Sequence, residues 1–261
     1  MIHRSPAPVA GSSRMDHEVK EDRLLGGRVR VLQPTRGYRA GMDAALLAAA
    51  CPARPKERII EAGCGVGSVL IQIASRCPDA RLVGLERDTA AAALARANTT
   101  SNGMGERIEI LEGDVAAGFK ALNQTPVDWA ISNPPFFDDD TTLRAPAAAR
   151  RGAWIADDGL STWTGFLLKA TREGGSIMMI HRADRLAEIL GLLAPKAGSF
   201  QIRPIHPFDD RPAKRVIVRA IKTGKAPLLL LPPLVLHDRT GAKHTAEAEA
   251  IFRGEAPLPW H

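Results

Sequence analysis

Apolar and polar positions along the chain change period repeatedly, and the changes mark where elements end. Arg28-Val29-Arg30-Val31-Leu32 alternates as a half-buried strand does, until Gln33-Pro34-Thr35-Arg36-Gly37 breaks it. Residues 42–50 predict a helix that stops before Pro52, and 57–60 a strand that runs into a glycine-rich turn. A helical pattern over 69–74 follows, then strands over 80–86 and 107–112 separated by an alanine-rich helix over 90–98. Val127-Asp128-Trp129-Ala130-Ile131 is another strand, ended abruptly by Asn133-Pro134-Pro135. Beyond it the pattern predicts a helix over 160–171, a buried strand over 174–180, an amphipathic helix over 184–194, and a closing pair of strands over 199–205 and 215–221. Strands alternating with helices predict an α/β sheet covered on both faces. Residues 1–21 have no periodicity and predict a disordered tail, leaving 22–261 as one domain.

With 45% hydrophobic residues the chain can bury a substantial core. Its charge of +6, from 35 Lys and Arg against 29 Asp and Glu, is compatible with a polyanionic partner without requiring one. Cys51, Cys64 and Cys77 form no CxxC pair, which argues against a disulfide framework or structural zinc and suits a reducing cytosol. The first 21 residues hold no apolar run, so no signal peptide is expected. The longest apolar stretch, 228–236, is broken by Pro232-Pro233 and is too short to span a bilayer. Asp138-Asp139-Asp140 are contiguous, and contiguous acids rarely face one ion, so they read as a solvated loop and no metal is expected.

Two stretches carry chemistry. In an open parallel sheet, ligands bind at the carboxyl ends of the strands, and the strand before Asn133 ends there. Asn133 offers a side-chain oxygen, Pro134 a carbonyl freed from any ladder, and Phe136 a flat apolar face, a set that suits a planar group bearing an NH2. The second stretch, Glu61-Ala62-Gly63-Cys64-Gly65-Val66-Gly67, differs from the dinucleotide pattern G-x-G-x-x-G. Its acid would serve a pyrophosphate poorly and a cationic amino group well. Glu86 closes the next strand about twenty residues on, where a carboxylate can accept both hydroxyls of a ribose. Asp114 follows a third strand, placed to take the exocyclic amine of an adenine, with Val115 beside it for the ring.

These residues, in this order and spacing, resemble class I S-adenosyl-L-methionine-dependent methyltransferases that modify exocyclic or amide nitrogen. The stretch from Leu32 through Gly37-Tyr38-Arg39-Ala40-Gly41-Met42-Asp43 is similar to the N-terminal motif of a narrower group, the bacterial tRNA1(Val) (adenine-37-N6)-methyltransferases. The resemblance implies a Rossmann-like, doubly wound, seven-stranded sheet whose last two strands form a hairpin. It implies that Gly63, Cys64, Gly65 and Gly67 pass under S-adenosyl-L-methionine and that Glu61 places its amino group. Glu86 and Arg87 would sit at the ribose, Asp114 and Val115 at the adenine, and Asn133 beside the methyl, while Arg39, Gly41 and Asp43 close over the methionine end. Substrate contacts are expected from Pro135, Phe137, Arg150, Arg151, Lys214 and Arg215. The expected acceptor is N6 of an adenine in a tRNA anticodon loop; a protein glutamine amide, a ribosomal guanine N2 or a DNA adenine would use the same Asn-Pro-Pro-Phe chemistry.

Overall fold

Parallel pairing of short apolar strands builds the frame. The computed structural model describes residues 19–35, 41–135 and 159–260. Its elements are β1 (Val19–Leu24), β2 (Val29–Pro34), α1 (Met42–Ala50), β3 (Arg58–Ala62), α2 (Ser68–Arg76), β4 (Arg81–Glu86), α3 (Thr89–Ser101), β5 (Ile108–Glu112) and β6 (Val127–Ser132). They continue with α4 (Gly159–Ala170), β7 (Thr171–Arg182), α5 (Leu186–Leu193), β8 (Ala197–His206), β9 (Arg215–Lys222), β10 (Leu229–Leu230), β11 (Leu234–Val235) and α6 (Ala246–Phe252). The seven strands expected between 57 and 221 are all present. The main sheet has nine strands, because β10 and β11, two residues each, add to β8 at one margin.

Sheet order is β10-β8-β9-β7-β6-β3-β4-β5. The chain moves outward from β3 through β4 to β5, then returns to lay β6 on the other side of β3. This reversal leaves a crevice between the carboxyl ends of β3 and β6, the usual ligand position in such sheets. The closing hairpin sets β9 antiparallel to both β7 and β8.

Alternation along each strand divides the interior in two. Ile59, Ile131, Met178 and Ile180 face a cluster that includes residues of α1, α2 and α3, while Ile60, Ala130, Ile177 and Met179 face one that includes residues of α4 and α5. Among the described residues no helix is long and apolar enough to cross a membrane.

β1 and β2 form a separate antiparallel ribbon. β1 begins at Val19, so the last three residues of the expected tail are strand, paired with Leu32, Gln33 and Pro34; the rest of that tail lies outside the described residues. The ribbon is fastened by side chains of α3. Buried Asn98 accepts from the Leu32 N–H at 2.8 Å and donates to the Leu32 and Val66 carbonyls, each at 3.0 Å. Asn102, one turn later, accepts from the Arg30 N–H at 3.0 Å and donates to its carbonyl at 2.6 Å. Four helical residues rise about 6 Å and two strand residues about 6.6 Å, so two asparagines a turn apart can serve as a substitute strand partner. At the other end of the chain, the Trp260 indole N–H donates to the Ala50 carbonyl at 2.6 Å and the Leu258 N–H to Ala49 at 2.9 Å, satisfying the end of α1.

Replacing Asn98 with Ala strands three backbone groups, one of them in the glycine turn. Asn98→Ala is expected to lose about 1–3 kcal/mol for each buried group left unsatisfied. Urea unfolding checks the loss, and hydrogen exchange at Leu32 checks that the ribbon is where it falls.

Candidate active site

The tips of β3 and β6 are held together before any ligand is considered. Ala62 pairs with Ser132 in the parallel register, and the buried Ser132 hydroxyl donates to the Ala62 carbonyl at 2.9 Å. Beyond Ala62 the chain passes through Gly63, Gly65 and Gly67, all at positive φ (69°, 53° and 81°), so each occupies the left-handed region that favours glycine. Gly67 caps α2, and an added Cβ there would stand 3.4 Å from the Ala95 Cβ of α3. Between the glycines the Cys64 side chain turns inward, its sulfur filling the space that a side chain at Gly84 would need. Burial, then Glu61 and Glu86, hold the Cys64 thiol well above its usual range, so it is a packing group rather than a nucleophile.

Glu86 ends β4 and is fixed by the backbone. Its Oε2 accepts from the Gly65 N–H at 2.8 Å and its Oε1 from the Asp88 N–H at 2.9 Å. Asp88 in turn caps α3 by accepting from the Ala91 N–H at 2.8 Å. One carboxylate therefore locks the glycine turn to the next strand end, with lone pairs left on both oxygens.

A cavity of about 230 Å³ opens between these elements. It is lined by Glu61, Gly63, Cys64, Gly65, Glu86 and Asn133 from the expected set, and by Pro34 of β2 and Ala44 of α1, which the sequence did not single out. Glu61 is 1% exposed, and its Oε2 has no hydrogen-bond partner among the described residues. Burial pushes its carboxyl well above the usual carboxylate range, and Glu86 adds to the push. A cationic amino group would relieve this orphaned acid, the glycine turn leaves room for a ligand to cross, and Glu86 retains acceptors for a diol. The residues fit S-adenosyl-L-methionine.

Beside the cavity lies a more open depression formed by Arg87, Asp88, Gly113 and Asp114. Asp114 accepts from the Ala116 N–H at 2.9 Å and lies 4.0 Å from Arg87. Val115, next to it, is buried in the second core cluster. Pro134 is buried and Pro135 exposed. Lys214 and Arg215 reach the same edge of the sheet as Asn133, since Arg215 pairs with Arg182 at the carboxyl end of β7. Asp43 and Arg215, expected at the methionine end and at phosphate respectively, bond to each other at 3.0 Å and join α1 to β9. Gly41 is the N-cap of α1. Arg39, Phe136, Phe137, Arg150 and Arg151, together with the acids at 138–140, lie outside the described residues.

His181, near the end of β7, is a weak base. Burial, followed by Arg185, Arg215 and Arg182, pushes its pKa down to about 4, so the imidazole is neutral. Among the described residues no group of His, Cys, Asp and Glu is placed to hold a metal ion.

Trp163 was also missed. Trp163 reaches from α4 over the tip of β3, and an ideal Cβ at Gly63 would stand 2.6 Å from its Cη2 and 2.8 Å from its Cζ3. The only signal for it is its place in the helix after the Asn-Pro-Pro segment.

Comparison with known proteins agrees with this geometry. Residues 39–150 match the family model described as methyltransferase small domain. A solved structure described as a predicted O-methyltransferase from Agrobacterium tumefaciens is 26% identical, with a TM-score of 0.69, and the match covers 83% of this chain and 98% of that one. The fold and the matched family define a class I methyltransferase. Among curated relatives, the tRNA1(Val) (adenine(37)-N6)-methyltransferase of Bacteroides fragilis is 36% identical over 115 residues, 44% of this chain, and the chain spans about half of that relative's length, 47%. The protein of the same name from Porphyromonas gingivalis is 35% identical over 216 residues, 78% of this chain and 83% of that one. The chain belongs to the tRNA1(Val) (adenine(37)-N6)-methyltransferase family.

Gly63→Ala must strain a left-handed backbone and collide with Trp163. A loss of about 1–3 kcal/mol in thermal unfolding is expected, from the strained residue alone or the overpacking alone. Adding Trp163→Ala should recover the steric part and leave the backbone part.

Proposed function

We propose that the protein transfers the methyl group of S-adenosyl-L-methionine to N6 of adenine 37 in a tRNA anticodon loop. The observation that carries the reading is a single cavity lined by both Glu61 and Asn133, the acid suited to the donor's amino group and the amide suited to an acceptor NH2. The name and 83% coverage of the Porphyromonas gingivalis relative support the choice of acceptor.

S-adenosyl-L-methionine supplies a methyl group on a cationic sulfur, ready for in-line displacement. The chain supplies position. An exocyclic NH2 is a poor nucleophile because its lone pair is delocalised into the ring. The Asn133 side-chain oxygen and the Pro134 carbonyl accept its two hydrogens and turn the lone pair toward the methyl. Orientation of this kind is worth roughly 7–11 kcal/mol in well-aligned cases. No base of unusual strength is needed beforehand, because the methylated nitrogen becomes acidic and releases its proton afterwards. A nucleotide in an anticodon loop is single-stranded, so swinging its base into the pocket costs little. Lys214 stands at the same edge for the flanking phosphates, in keeping with the net charge of +6.

The protein, incubated with methyl-labelled donor and total RNA and then digested to nucleosides, should yield labelled N6-methyladenosine from the tRNA fraction. Label in protein, or in N2-methylguanosine, would overturn the acceptor. Asn133→Ala should abolish turnover and leave donor affinity within a few-fold by calorimetry; affinity lost in parallel would make Asn133 a donor residue only.

A further inference from the structure

We propose that Glu61 holds a proton while the site is empty and releases it when the donor's amino group enters, so that binding exchanges a proton for an ammonium. The inference rests on the donor reading above. In charge terms, a neutral acid and an ammonium become a carboxylate–ammonium pair, and the proton passes to solvent. No covalent bond to the ligand forms.

The surroundings of Glu61 carry the argument. Its side chain is enclosed, its Oε2 lacks a partner among the described residues, and it faces the cavity. From β4 comes Glu86, an acid with both oxygens already engaged by backbone N–H groups. From the turn comes the Cys64 thiol, itself held protonated. α1 brings Ala44 to the cavity, while its first-turn Asp43 is occupied by Arg215. α2 brings Ser68 and Val69, and β6 brings Asn133. Arg96 of α3, whose charge reaches Cys64, is bonded to Glu112 at 2.6 Å. Among the described residues no cation lines the cavity. Two neighbouring acids without a cation cannot both stay charged cheaply in an enclosed site, so the more deeply buried one keeps its proton. A ligand with an ammonium brings the missing charge, whereas a nucleoside without that tail does not.

Two consequences follow from linkage. While Glu61 remains protonated in the empty protein, the Kd for an ammonium-bearing ligand should fall by about tenfold per pH unit as pH rises. The raised carboxyl also favours the folded empty protein fully below its ordinary value of 4.5, and that contribution is lost as pH rises through the folded-state value. Glu61→Gln should flatten the resulting decline of Tm.

The test is calorimetric titration of the full chain at pH 7 with S-adenosyl-L-homocysteine and with 5′-deoxy-5′-methylthioadenosine, in buffers of different ionisation enthalpy. Close to one proton released with the first ligand and none with the second supports the exchange, as does loss of the release in Glu61→Gln. Binding of S-adenosyl-L-homocysteine without proton release overturns the exchange and leaves the donor site standing. No binding at all overturns both. Infrared difference spectra of the empty proteins, wild type against Glu61→Gln, supply a readout without ligand: a carboxylic-acid carbonyl band at pH 7 that the variant lacks is expected, and its absence would sink the idea.

Discussion

Parallel pairing of β3 with β6 is the constraint from which the site follows. Neither strand is long, and each ends in residues that cannot continue a ladder: Gly63 in a left-handed conformation after Ala62, and Asn133-Pro134-Pro135 after Ser132. Because Ala62 and Ser132 are in register and joined by a hydroxyl-to-carbonyl bond, the two interruptions occur at the same height. A one-residue slip would send Asn133 to the other face and carry Ile131 out of its core cluster. Packing of the sheet and placement of the chemistry are one requirement.

The donor side of the cavity is made almost wholly of backbone held from outside. Glu86 pins Gly65, Asn98 pins Val66, and Ala95 supports Gly67, so three groups from two neighbouring elements fix the turn. Such a turn needs no ligand to take its shape, and its ordering cost is met when the protein folds. The polar groups left over are the informative ones. Glu86 is satisfied on both oxygens and can accept more, whereas Glu61 is buried without a partner for Oε2 among the described residues, the kind of local conflict found where a ligand completes the structure.

Much of this was legible in the sequence because it is written in turn chemistry. Positive-φ glycines, prolines after an asparagine, and acids at strand ends are local signals, and the predicted strands from 57 to 221 coincide with β3 to β9 to within a few residues. What escaped depends on contacts between distant residues. Asn98 reads as an ordinary helical position until β2 lies against it, and Trp163 as one more apolar residue of α4 until Gly63 comes beneath it. The ribbon strand β1 was hidden because Val19–Leu24 has little apolar character and is mostly exposed, its stability coming from pairing. Asp43 and Arg215 were each expected at a ligand, and the sequence did not show that fold topology also brings α1 and β9 together so that the two bond to each other.

The two sides of the site are held differently. The donor side is locked to α2, α3 and β4, so its geometry belongs to the fold. The acceptor side has only Asn133 and Pro134 fixed by β6, and the chain then enters residues 136–158 before α4 begins. In the proposed reading, an amide oxygen and a peptide carbonyl would recognise an NH2 without distinguishing what bears it. Discrimination between an adenine and a glutamine amide must come from groups beyond them, and Trp163 of α4 reaches to the glycine turn. Its ring lies against Gly63, two residues along the chain from Glu61.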